Sequence, residues 1–174
     1  MADFEFEPEK ALAVTAYLAE QSGQTMYTIL KMVYVADRMH LERYGRPITG
    51  DAFIAMPQGA CPSKIYDSMK SLRGDQNINF LPEGEKFLTV DATTHDVDVV
   101  QRPPMDVLSA SDLECLEQTI AILKIRGGRH IRDLAHDSAW ENTVKNTQMG
   151  TLEIAKTTQD GDALVSHLKT KFAA

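Results

Sequence analysis

The sequence predicts a mainly α-helical, α+β fold: one compact helical domain with a few short antiparallel strands. Three observations carry that reading. Apolar residues recur at helical spacing from Met26 to Tyr44. A second amphipathic stretch follows the capping-box pattern Ser111-x-x-Glu114, with Leu113, Leu116, Ile120 and Leu123 on one face. Two short alternating runs, 86–90 and 96–100, are joined by a polar turn and read as a hairpin.

The elements can be justified in chain order. Residues 1–7 read as a short tail, and residues 8–174 as a single domain in which 150–174 form a C-terminal helical extension. Pro8 suits the first turn of a helix, where its missing N–H costs nothing. Leu12, Val14 and Leu18 carry that helix to about Gln21. In the next helix Met26, Ile29, Leu30, Val33, Tyr34, Leu41 and Tyr44 form the apolar stripe, with Lys31, Arg38 and Glu42 on the other side. Gly45 and Pro47 stop it. Asp37 lies along the stripe, so its carboxylate needs a partner, either Arg46 or a backbone N–H near Gly50–Asp51.

Asp51–Met56 is a strand candidate, and Pro57–Pro62 reads as a tight turn. Ser63 is placed to cap a helix carrying Ile65, Tyr66, Met69 and Leu72. Gly74–Gly84 is a loop, and Pro103-Pro104 breaks the chain after the hairpin. Gly127-Gly128 ends the long helix. Short helices follow around 131–135 and from Ser138, where Ser138-x-x-Glu141 repeats the capping-box pattern; a last helix covers about 162–171.

A chain of 174 residues can bury a sizeable core without disulfides or metal. No apolar run reaches the roughly 18 residues of a membrane span. The acidic start MADFEFEPEK lacks the apolar centre of a secretory leader, so a cytoplasmic protein is expected. The net charge of −7 disfavours a nucleic-acid partner and suits a protein partner.

Little in the sequence points to catalysis. The two cysteines, Cys61 and Cys115, stand apart from any metal-ligand spacing, and no cofactor is implied. Cys61 precedes a helix and is the candidate nucleophile, with His40 or His136 as base; the alternative is a half-buried packing residue. Asp37 and His40 share a helix face as an acid–base pair or as a structural contact. Trp140, the only Trp, either anchors a partner or closes the core. Arg126, Arg129 and Arg132 form a local basic cluster, either a DNA contact or a solvated helix face.

The run from Lys31 to Lys70, KMVYVADRMHLERYGRPITGDAFIAMPQGACPSKIYDSMK, is more particular. It resembles the Panacea antitoxin domain of phage-associated GepA-like and SocA-like proteins. Lys31, Tyr34, Ala36 and Asp37 match the family's K-L-L-Y-x-A-D stretch. His40, Leu41 and Tyr44 through Asp51 match H-L-x-x-Y-G-R-P-I-T-G-D, which includes Gly45, Arg46, Pro47 and Gly50. Gly59, Pro62, Ile65, Tyr66 and Asp67 match G-P-V-P and the I-Y-D helix, and His136 and Trp140 match an H-x-x-x-W end. Ala60 and Cys61 replace the family's first Pro and its Val.

The resemblance implies a non-enzymatic antitoxin of a prokaryotic toxin–antitoxin system, which binds a cognate protein toxin directly. The alternative is a proteolytic adaptor that delivers the toxin to a cytoplasmic protease. Phe172-Ala173-Ala174 has the look of a tag read by bacterial unfoldases. The turns around the candidate strand are expected at the surface, with Met56, Gln58, Gly59, Cys61, Ser63 and Lys64 as partner-binding residues.

Overall fold

A computed structural model describes residues 3–174. Helix α1 (Pro8–Ser22) begins with Pro at its first turn and ends where Gly23, at φ 60°, takes the left-handed conformation and donates its N–H to the Ala19 carbonyl. Helix α2 (Met26–Tyr44) is the central element. Its residues 29–37 are buried on every side. A helix enclosed in this way must find partners for each polar side chain it carries.

Gly45 ends α2 in the same left-handed way, at φ 68°. The chain then turns into strand β1 (Phe53–Met56), a two-residue turn at Pro57-Gln58, and strand β2 (Gly59–Pro62). The pairing is antiparallel and runs from Phe53 opposite Pro62 to Met56 opposite Gly59. The sequence reading of 57–62 as a turn is thus corrected: only its first two residues turn. Tertiary contacts hold the rest extended. The Ala60 N–H donates to the Ala135 carbonyl at 2.9 Å, and the Lys31 amine donates to the Gly59 and Ala60 carbonyls at 3.0 Å each. On its other side, β1 exchanges backbone hydrogen bonds with residues 146–149.

Helix α3 (Ser63–Arg73) follows directly. Ser63 does not cap it. Asp51 does, from across the hairpin, accepting the backbone N–H of Lys64 at 3.1 Å and of Ile65 at 2.9 Å. The short helix α4 (Gly84–Phe87) leads into a second hairpin, β3 (Leu88–Val90) with β4 (Val97–Val99).

Helix α5 (Ala110–Leu134) packs along α2. Its capping box is Ser109 with Asp112, two residues before the expected pair. The Asp112 carboxylate accepts the Ser109 N–H at 2.9 Å, while Glu114 turns outward to Arg43 and Tyr44. The helix breaks at Gly127, where φ 82° and ψ 169° are non-helical, and resumes as a short arm of residues 128–134. Helices α6 (Ser138–Asn142), α7 (Thr151–Lys156) and α8 (Gly161–Ala173) complete the chain. Asp137, rather than Ser138, caps α6, accepting the Trp140 N–H at 3.0 Å.

Residues 3–7 lie against the body, whereas Met1 and Ala2 of the expected tail fall outside the described residues. The Glu7 N–H donates to the Thr49 carbonyl at 2.9 Å, and Phe4 packs edge-on against Phe172 at 5.3 Å. Among the described residues, no helix is long and apolar enough to cross a membrane.

Candidate functional site

The motif-rich stretch forms two neighbouring arrangements on α2. The first is a buried polar lock. Asp37, 2% exposed, accepts the backbone N–H of Ile48 at 3.0 Å and of Thr49 at 3.1 Å, and the Thr49 hydroxyl at 2.5 Å. A backbone partner was expected near Gly50–Asp51, and the partners found lie just before it. Arg46 is not one of them. It donates to Asp112 at 3.2 Å and to the Pro47 carbonyl at 3.1 Å. Burial pushes the Asp37 carboxyl up to about 6, against the three hydrogen bonds that favour its ionised form.

Gly50, at φ 66°, has the Glu5 backbone so close that a Cβ would sit 2.0 Å from its carbonyl oxygen. Gly59 is likewise hemmed in by Ala135 and His136. Both glycines therefore admit backbone of this same chain, not of another. Lys31, expected on the solvent side of α2, is buried. Its aliphatic stem crosses the core while its amine meets the β2 carbonyls, and burial lowers its pKa.

Asp37 and His40 do not meet. The His40 Nδ1–H donates to the Arg46 carbonyl at 2.7 Å, and its Nε2 lies 3.0 Å from the Ser111 hydroxyl and 3.2 Å from Asp112. Burial works against ionisation of Asp112. The His40 hydrogen bond, the Ser109 N–H and the Lys10 charge overcome it and hold the carboxyl well below its usual range. Tyr44, placed on the apolar stripe by its spacing, is 45% exposed. The stripe has rotated past it by the last turn, and its hydroxyl donates to Glu114 at 2.7 Å.

Tyr34 is fully buried, and its hydroxyl donates to Asp137 at 2.6 Å. Arg38 donates to the same carboxylate oxygen at 2.8 Å. Trp140 stands over the hairpin, half-buried, and its Nε1–H donates to the Met56 carbonyl at 2.7 Å. His136 packs edge-on against it at 4.3 Å. These contacts fasten the tip of β1 to the turn before α6.

The second arrangement is an open groove of about 610 Å³ beside the hairpin tip. Leu30, Met56, Cys61 and Tyr66 give it apolar walls, and Gln58 sits at the turn. Lys31, Arg129 and Arg132 also line it. Of the six expected partner-binding residues, Met56, Gln58 and Cys61 meet here. Ser63 borders a smaller depression alongside, which shares Met56, Cys61 and Tyr66. Gly59 is buried, and the Lys64 amine lies 4.7 Å above the Phe6 ring, so these two face their own chain. Pro62 ends β2 and is also buried.

Cys61 does not have the surroundings of a nucleophile. It is buried, and burial pushes its thiol up to about 12, so the thiolate is scarce at neutral pH. Among the described residues its hydrogen-bond-range partner is the Pro62 carbonyl at 3.9 Å, not a histidine. No group of three or more His, Cys, Asp or Glu among the described residues could hold a metal ion.

Sequence reasoning missed Asp137, and Arg129, Arg132 and Tyr27, which also lines the groove, as members of these arrangements. The arginines are visible as a cluster in the sequence, but only the break at Gly127 turns two of them towards α2.

A family model described as antitoxin SocA-like, Panacea domain, matches residues 29–141, from the first turn of α2 to the last residues of α6. No curated protein and no solved structure matches the chain. The matched stretch holds the polar lock and most of the groove's lining and covers well over half of the sequence; the chain belongs to the SocA-like antitoxin family that carries the Panacea domain.

Proposed function

We propose that this protein is a non-enzymatic cytoplasmic antitoxin that binds a cognate protein toxin directly and neutralises it by covering it. The observation that carries the reading is the position of the groove. It opens at the hairpin tip, with all of its lining except Tyr27 and Thr28 inside the family-matched stretch, and carries the exposed side chains of Gln58, Arg129 and Arg132. The surface around Met56, Gln58 and Ser63 is the proposed contact face. The net charge of −7 supports a protein partner over nucleic acid.

The test is co-expression with the product of the adjacent gene. Toxicity of that product alone, and full growth when this chain is present, is the expected result. Met56→Ser and Gln58→Glu are expected to weaken rescue while leaving the circular dichroism spectrum unchanged. Absence of a toxic neighbour would remove the reading's main support.

A further inference from the structure

The charge of the groove is opposite to that of the molecule. The chain carries 25 acidic residues against 18 basic ones, yet the groove is lined by three cations and no carboxylate. Two of the cations, the guanidinium groups, are available as well as present. Arg38, Arg43, Arg46, Arg73 and Arg102 each form an ion pair, whereas Arg129 and Arg132 form none among the described residues. Lys31 is buried at the groove's floor and commits its amine to two backbone carbonyls. The nearest carboxylate on α3, Asp67, is already paired with Lys70 at 2.8 Å.

Guanidinium groups suit carboxylates because their planar forks can donate two parallel hydrogen bonds. Low-dielectric apolar walls beside them concentrate the positive potential. Leu30, Met56 and Tyr66 supply those walls, and the groove's volume lies in the range that accommodates a few residues of chain.

We propose that the groove receives an acidic, extended segment of the protein partner, whose carboxylates meet Arg129 and Arg132 while an apolar side chain lies on Met56 and Tyr66. This rests on the antitoxin reading for the partner's identity but not for the chemistry of the groove. Arg129 and Arg132 are the specificity-determining residues, and both project from the arm beyond Gly127.

The test uses the full chain and three labelled, end-blocked hexapeptides read by fluorescence anisotropy: Asp-Glu-Leu-Phe-Glu-Asp, its neutral Ser/Gln counterpart and its Lys/Arg counterpart. The acidic peptide is expected to bind at up to about 1 mM, and the other two at least about tenfold more weakly. The double variant Arg129→Glu/Arg132→Glu is expected to lose at least about tenfold in affinity for the acidic peptide with an unchanged unfolding midpoint. Arg129→Lys/Arg132→Lys should bind the acidic peptide more weakly than wild type but more tightly than the charge-reversed variant, because it keeps the charge and loses the fork. Raising the salt should weaken it.

Equal binding of all three peptides, no binding of the acidic one, or acidic binding indifferent to charge reversal would each overturn the proposal. So would arginine-dependent binding of an oligo-dT probe in place of the acidic peptide. Growth rescue is scored separately. A charge-reversed variant that rescues as well as wild type overturns the acidic-segment groove and leaves the antitoxin reading standing. A toxin-free neighbourhood with arginine-dependent binding of the acidic peptide does the opposite.

Discussion

At the scale of single residues, Tyr34 and Asp37 carry more of the fold than their neighbours. The Tyr34 ring fills a fully enclosed site against Phe53, with ring centroids 4.9 Å apart, and its hydroxyl reaches Asp137. Tyr34→Ala should cost about 3–5 kcal/mol by leaving a cavity, and Tyr34→Phe about 1 kcal/mol, because Arg38 and the Trp140 N–H still satisfy Asp137. Chemical denaturation of the pair checks both values; equal losses would mean that the ring is not packed as described.

Asp37 imposes a pH dependence of definite sign. Its folded-state pKa, about 6, lies above the ordinary 3.8, so folding favours the protonated carboxyl. Its contribution to stability is full below pH 4 and is lost as the pH rises to about 6, by about 3 kcal/mol in total. Asp112 works in the opposite direction, because its pKa is lowered. The comparison must therefore be with Asp37→Asn, which keeps an oxygen for the Ile48 and Thr49 N–H groups. Wild type should lose stability relative to that variant between pH 4 and pH 6. A constant difference across that range would remove the buried-carboxylate account.

At the scale of elements, the decisive feature is the break in α5. Gly127 has a backbone conformation open essentially to glycine alone, and a Cβ there would meet no neighbouring atom. Gly127→Ala should thus cost about 1–3 kcal/mol through backbone strain, not through collision. It should also weaken groove binding by displacing Arg129 and Arg132, which the hexapeptide assay measures. Unchanged stability would show that the break is not a strained feature of the native state.

Legibility in the sequence also divides by element. Helix α2 is plain because its stripe is long and its stop combines Gly45 with Pro47. Strand β2 is not, because Gly59 and Pro62 punctuate a segment that only contacts with Lys31 and Ala135 hold extended. The caps show a narrower failure. Ser109-x-x-Asp112 and Ser111-x-x-Glu114 fit the same pattern, and the choice falls to Asp112 because Lys10, His40 and Arg46 converge on it from other elements. Asp51 caps α3 from thirteen residues upstream of Lys64, a reach outside local patterns. For the candidate site, Gly and Pro mark the hairpin tip in the sequence, but of Met56, Gln58 and Cys61 only Gln58 lies in the turn, and Cys61 is buried in β2. The far wall comes from α5 and depends on a crossing that local periodicity does not encode.

At the scale of the whole molecule, the family-matched stretch and the remainder are built into one another. Residues 146–149 pair with β1, the Glu7 N–H meets Thr49, and α8 reaches back to Phe4. Gly50→Ala, which drives a Cβ into the Glu5 carbonyl, should free residues 3–7 and expose their amides to faster hydrogen exchange. Exchange unchanged at Glu7, whose N–H is bonded to Thr49, would separate that segment from the core. The groove proposed to receive a partner is a basic one on an acidic molecule. The most direct measurement of the central claim is the activity of the purified adjacent-gene toxin titrated with this protein alone, with no protease present. Direct neutralisation requires the activity to fall to a plateau as the complex forms. Full activity throughout, with loss only when a cytoplasmic protease is added, would contradict it.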